Sequence, residues 1–326
     1  MFRLRYDGVF AKSADPILGI TSHIMPKRYD AMVNFLFQER CESMDEYIRK
    51  MSEKGVKLTY MHIMVAAMVR MYAERPIINR FVMNGRVYDR KGIYICFAMK
   101  PELAEDSAET TIKMRFTGEE TILQVKDIID AEIAKNKSAT NDTVKTAAML
   151  RAVPNFLTKC TVGLLKWMDK HGIMPHKIIE VSPFHVSAWI TNMKSISTDY
   201  VYHHLYDFGT SSLFVGLGKE HMEPVVNPTT NELEVGKVMR AGIVIDERIC
   251  DGFYYAKSIK CIRKLLKNPE LLEEPFELTE QQKLLNWPKA EVKKLKKEIK
   301  ARKRIEKKTA KLEKRKAKKE QKLKAA

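Results

Sequence analysis

Residues 242–252 read GIVIDERICDG, and the chain continues FYYAKSIKCIRKLLKNP to residue 269. An apolar run of strand composition ends in Asp246, Glu247 and Arg248. Two residues later, Asp251-Gly252 opens a segment with Ile259, Ile262, Leu265 and Leu266 on one helical face, stopping at Asn268-Pro269. Asp251 is placed to cap that helix, because its carboxylate can accept the unpaired N–H groups of the first turn. An Asp-Gly pair joining a strand to a helix is also an ordinary connection with no chemistry attached. If the strand persists, alternation sends Glu247 and Arg248 to opposite faces.

Outward from this stretch, apolar side chains recur at helical spacing over residues 121–136, Met64–Tyr72 and Phe156–Trp167. Strand composition marks Met32–Phe37, Arg86–Tyr88, Ile93–Met99, Thr111–Phe116, Val186–Met193, Leu213–Leu217 and Val238–Ile245. Asn84-Gly85 between two short extended runs signals a tight hairpin. Strands and helices mix without regular alternation, which favours a two-layer α/β sandwich with a mixed sheet over a doubly wound parallel one. The pair Gly216 and Gly218 is only a fragment of a dinucleotide fingerprint and reads as a turn.

The charge is concentrated at one end. Residues 289–326 hold nineteen Lys and Arg against five Glu, which is +14 of the chain's formal +17, so the preceding body is nearly neutral. Trp287-Pro288 marks the break, giving a body over 1–287 and a Lys-rich helical or disordered tail over 288–326. Val292, Leu295, Ile299, Ile305 and Leu312 begin at helical spacing and then thin out, the pattern of a solvated basic helix with a weak apolar seam. Such a helix can also contact RNA, ribosomes or an anionic membrane surface through counterion release. The first residues, MFRLRYDGVFAKSADP, include no apolar stretch of signal-peptide length, and Tyr60–Tyr72 is interrupted by His62 and Arg70, so no membrane segment is expected. Five scattered cysteines without a C-x-x-C pair indicate neither a disulfide framework nor a zinc site and fit the cytoplasm.

The central stretch resembles the chloramphenicol acetyltransferase-like superfamily, and most closely the catalytic domain of the 2-oxoacid dehydrogenase (dihydrolipoyl) acyltransferases. Those proteins carry His-x-x-x-Asp-Gly between a strand and a helix. Here E-R-I-C-D-G occupies the motif, with Glu247 in the histidine position and Asp251-Gly252 matching. SLFVGLGKEHMEPVV (212–226) resembles the family's strand, glycine turn and proline-containing connection, and AWITNM (188–193) resembles the segment that carries its hydroxyl residue. The resemblance is specific over about 185–275, looser over about 5–135 and absent from the tail.

It implies a homotrimer with a channel between subunits and acyl transfer to or from coenzyme A as substrate, with no metal. By position, Glu247 replaces the base, Thr191 stabilises the tetrahedral intermediate and Asp251 orients the motif. No lipoyl domain is recognisable: Asp169-Lys170 follows the helical run LLKWM rather than sitting in a hairpin, so a lipoyl carrier would act in trans. A carboxylate near pKa ~4.3 is a weak base for a thiol near ~8.5 unless burial raises it. A trimeric binding or scaffolding protein of the same fold, without activity, is the alternative. His185, His203, His204 and Cys250 lie in or beside the matched region and read as packing or surface residues, because their spacing forms no triad or metal set.

Overall fold

Alternating burial along Thr110–Phe116, with Ile112, Met114 and Phe116 inward, sets one edge of a large sheet. The computed structural model describes residues 5–99, 110–137, 153–227 and 229–324. Its strands are β1 (Gly8–Phe10), β2 (Met32–Arg40), β3 (Arg80–Met83), β4 (Arg86–Arg90), β5 (Ile93–Met99), β6 (Thr110–Phe116), β7 (Ala188–Asn192), β8 (Leu213–Leu217), β9 (His221–Val226) and β10 (Leu233–Asp246). The helices used below are α1 (Pro16–Ile24), α2 (Glu42–Glu53), α3 (Tyr60–Glu74), α4 (Ile122–Lys137), α5 (Asn155–His171), α6 (His176–Val181), α7 (Gly252–Lys267), α8 (Glu280–Asn286) and α9 (Lys289–Lys324).

The main sheet runs β2-β10-β8-β7-β5-β6, with β9 paired to the first half of β10. β7 is parallel to β5 and β8 while the other pairs are antiparallel, so the sheet is mixed. A small sheet, β1-β4-β3, stands beside it. Its β3–β4 hairpin turns through Asn84 and Gly85, both at positive φ (52° and 68°), as a two-residue turn of that sequence requires.

One face of the main sheet is covered by helices. α3 is buried nearly all round from Tyr60 to Ala73, the signature of a helix inside the core rather than upon it. The interruptions at His62 and Arg70 are hydrogen-bonded in place. His62 joins Thr59 in a capping box, and Arg70 donates to the carbonyls of Leu271 and Glu274. Met44 and Met51 of α2, Ile122 and Val125 of α4, and Ile262 and Leu265 of α7 join the same core. The opposite face carries an aromatic cluster in which Trp189 stacks on Phe214 at 6.1 Å. This is the two-layer α/β sandwich expected from the sequence.

Two local readings change. The Gly216-Leu217-Gly218 stretch is not simply a turn, since Gly216 lies within β8. A Cβ there would stand 2.3 Å from the Val201 carbonyl oxygen, and one on Gly242 would stand 2.2 Å from the same atom. These glycines let the 200–201 backbone lie flat on the sheet. The proline-containing connection after β8 includes a strand, β9, in which Pro224 opposite Val235 is tolerated because β9 pairs only with β10.

α9 starts against the body. Val292, Leu295 and Ile299 are half-buried, whereas Ile305 is 65% exposed, so the seam ends where the sequence pattern thins. Among the described residues no helix is long and apolar enough to cross a membrane.

Candidate active site

β10 ends at Asp246, and residues Glu247–Ile249 form a single tight turn before α7. The turn is anchored from below. Asp246 is fully buried and accepts from Arg248 Nε and Nη2, both at 2.7 Å, while Arg28 Nε lies 3.5 Å away. Arg248 Nη1 donates to the Met25 carbonyl at 2.7 Å, tying the turn to the end of α1. Glu247, one residue on from Asp246, is exposed. Glu247 and Arg248 do diverge, but through the turn rather than through strand alternation, because the strand has already ended.

Asp251 caps α7 as its position suggested, accepting from the Tyr254 N–H at 2.8 Å. Removing that acceptor should cost about 1 kcal/mol. Asp251→Ala is therefore expected to lower the urea midpoint measurably, whereas Asp251→Ser should nearly restore it; equal midpoints for Asp251→Ala and wild type would mean the cap contributes nothing. Cys250 is buried, and burial pushes its thiol up to about 12, so it packs rather than attacks.

Thr191 lies at the far end of β7, half-buried, with its hydroxyl 3.8 Å from Met193 Sδ. The register sets it level with Gly216 and, across β8, with Gly242. From Gly242, β10 runs four more residues to Asp246, roughly 13 Å at about 3.3 Å per residue. Within one chain, Thr191 and Glu247 therefore stand apart, whereas Glu247 and Asp251 flank the same turn.

The histidines beside the motif are held by packing. His203 stacks on Phe214 with ring centroids 4.1 Å apart, and its Nδ1 lies 3.0 Å from the His204 carbonyl. His185 is buried, with Nδ1 2.8 Å from Ser182 Oγ and Nε2 3.2 Å from Asp169 Oδ2. Asp169 thus sits in α5 inside a buried charged network, where Arg5 bridges it (2.6 Å) to Asp7 (2.9 Å). Burial alone would raise Asp169, but His185 and Arg5 outweigh it and hold the carboxyl down at about 2. Sequence reading missed this network because Arg5 and Asp169 lie 164 residues apart and follow no local pattern. Among the described residues no group of His, Cys, Asp and Glu is arranged to hold a metal, and all five cysteines are free.

The fold can be placed among solved structures. The chain is similar to the cubic core of the pyruvate dehydrogenase multienzyme complex, with a TM-score of 0.50 and 14% identity, covering 79% of this chain and 88% of that one. It is also similar to a probable dihydrolipoamide acetyltransferase from Listeria monocytogenes, with a TM-score of 0.51 and 13% identity, covering 82% and 99%. A chloramphenicol acetyltransferase aligns more loosely, at 0.41 and 11% identity over 75% and 92%. No family model matches the chain, and no curated protein matches it by sequence. The fold is thus the one found in acyltransferase catalytic cores of 2-oxoacid dehydrogenase complexes, as the E-R-I-C-D-G stretch suggested. Fold alone does not assign the reaction.

Proposed function

We propose that the chain is a cytoplasmic coenzyme A-dependent acyltransferase that works as a homotrimer, with its reaction centre between copies. The observation that carries this reading is the placement of the motif residues. Glu247 projects from a turn braced by buried charges, while Thr191 is level with Gly242, roughly 13 Å back along β10, so a centre using both side chains brings Glu247 of one copy to Thr191 of another. The β9–β10 arm supports assembly: Met222, Val226, Leu233 and Val235 are 62%, 60%, 75% and 69% exposed, an apolar surface suited to a second copy.

In such a centre the Glu247 carboxylate takes the proton of an acceptor thiol or hydroxyl, whose sulfur or oxygen attacks the thioester carbonyl. The carbonyl electron pair moves onto oxygen, where the Thr191 hydroxyl donates a hydrogen bond. Collapse breaks the carbon–sulfur bond, and the departing coenzyme A thiolate takes the proton back from Glu247. A solvated carboxylate is too weak a base for this, so the neighbouring copy has to desolvate Glu247. A lipoyl acceptor would arrive on another chain.

The exposure of Glu247 in the single chain favours a second reading, a trimeric scaffold without turnover. Light scattering and a thiol-release assay with acetyl-coenzyme A and a panel of thiol, hydroxyl and amine acceptors separate the two. Acyl transfer predicts a trimer and acceptor-dependent release. A trimer that releases no thiol is the scaffold, and a monomer at micromolar concentration removes the intersubunit centre altogether.

A further inference from the structure

On the far side of the main sheet from β10, a cleft of about 980 Å³ lies between the β4–β6 strands, α6 and the first three turns of α9. That is the upper end of the range of roughly 300–1,000 Å³ typical of small-molecule sites. Its strand side carries Arg90, Lys91, Lys113 and Arg115; its helix side carries Lys289, Lys293, Lys296, Lys297 and Lys300. At about 100° per residue these five lysines gather on an arc of about 100°, while Glu291 and Glu298 fall on the opposite side of α9. Two carboxylates line the cleft, and both are engaged: Asp7 is held by Arg5, and Glu180 accepts the Tyr6 hydroxyl. Among the described residues none of the nine cations forms an ion pair with a carboxylate. Glu247, Asp251 and Thr191 take no part in the lining.

The strand cations Arg90, Lys113 and Arg115 are oriented by neutral groups. Arg90 is 3% exposed, donates both terminal nitrogens to Thr210, and has a buried Nε without an acceptor. Lys113 Nζ is fixed by the carbonyls of Ile179 and Ser182 at 2.7 and 2.9 Å. Arg115 is fixed by Tyr94 Oη at 3.2 Å and the Asn286 carbonyl at 2.7 Å. Neutral carbonyls and hydroxyls orient these groups without cancelling their charge. Burial lowers Arg90 to about 10 and Lys113 to about 8, and the nearby Asp7 carboxylate opposes the shift in both without overcoming it.

We propose that this cleft binds a multiply phosphorylated small molecule, held between the strand guanidiniums and the α9 lysines. Several closely spaced negative charges satisfy both walls at once, which a monovalent anion cannot. The site stands apart from the acyl-transfer reading and does not depend on it.

Isothermal titration of the full chain at physiological ionic strength, with inorganic pyrophosphate, inorganic tripolyphosphate and ATP as probes, tests it. One site per chain with micromolar affinity is expected for at least one probe. Equal affinities of tripolyphosphate and ATP would assign recognition to phosphate alone, whereas tighter ATP binding would add the nucleoside as a determinant. Lys293→Glu/Lys297→Glu should weaken binding at least 10-fold. Lys308→Glu/Lys311→Glu, an equal charge change on the same helix outside the cleft, should leave it within about 2-fold of wild type, as expected once screening over roughly 8 Å limits distant charges. Equal losses in the two double variants, absence of binding to all three probes, or binding only of single-stranded RNA would overturn the proposal.

Discussion

Asp246→Ala is expected to cost about 3–5 kcal/mol of folding stability, the cost of stranding a buried charge by removing its partner. Asp246 is fully buried and serves two guanidiniums: Arg248, bound through both carboxylate oxygens, and Arg28 at 3.5 Å. Arg28 and Arg248 are 3% and 2% exposed, so neither can turn to water when the carboxylate goes. Burial already pushes Arg28 down, and loss of Asp246 would remove the largest influence opposing that shift. Against a typical total of about 5–15 kcal/mol, the loss is large enough to read as a marked shift of the guanidinium chloride midpoint. Asp246→Asn should recover only part of it, since the amide keeps the shape and one acceptor but not the charge. A midpoint shift worth less than about 1 kcal/mol for Asp246→Ala would show that the two arginines find other partners, and that the Glu247 turn is not braced as described.

The contrast between Asp246 and Glu247 also shows what a sequence can and cannot carry. Regular elements were readable because their signals are local. The continuous apolar, strand-forming composition of Ile93–Met99 and Leu213–Leu217 gave β5 and β8 at their full extent, and the Asn84-Gly85 turn needed only its two residues. The Asp251 cap was readable for the same reason, since donor and acceptor lie three residues apart. β9 was not separately readable, because Pro224 argues against a strand and the segment is stabilised only by β10, seven or more residues on. Nor was the bracing of the motif. Arg28 meets Asp246 across more than two hundred residues, and Met25 closes the turn from another helix. The apolar seam of α9 was legible as Val292, Leu295 and Ile299, but the lysine arc becomes a wall only once Arg90, Lys113 and Arg115 face it from the sheet.

Glu247→Gln is expected to lower acyl transfer about 100- to 10,000-fold if Glu247 is the base, the usual cost of losing general base catalysis. The substitution keeps size and hydrogen-bonding capacity but removes the proton acceptor, and the exposed position gives it little leverage on folding. The effect should therefore fall on kcat, with coenzyme A affinity and the light-scattering mass unchanged. Glu247→His is the informative partner. An imidazole near pKa ~6.5 needs no desolvation to act at neutral pH, so it should match or exceed wild type wherever Thr191 of a second copy completes the centre. The histidine variant should also gain activity as pH rises through the imidazole range. A scaffold gives a different pattern, with no turnover in any of the three proteins and an unchanged oligomer. Full activity in Glu247→Gln would sink the base assignment while leaving acyl transfer standing, because the proton must then leave by water or by another group, and His204, exposed in the matched region, would be the next side chain to remove.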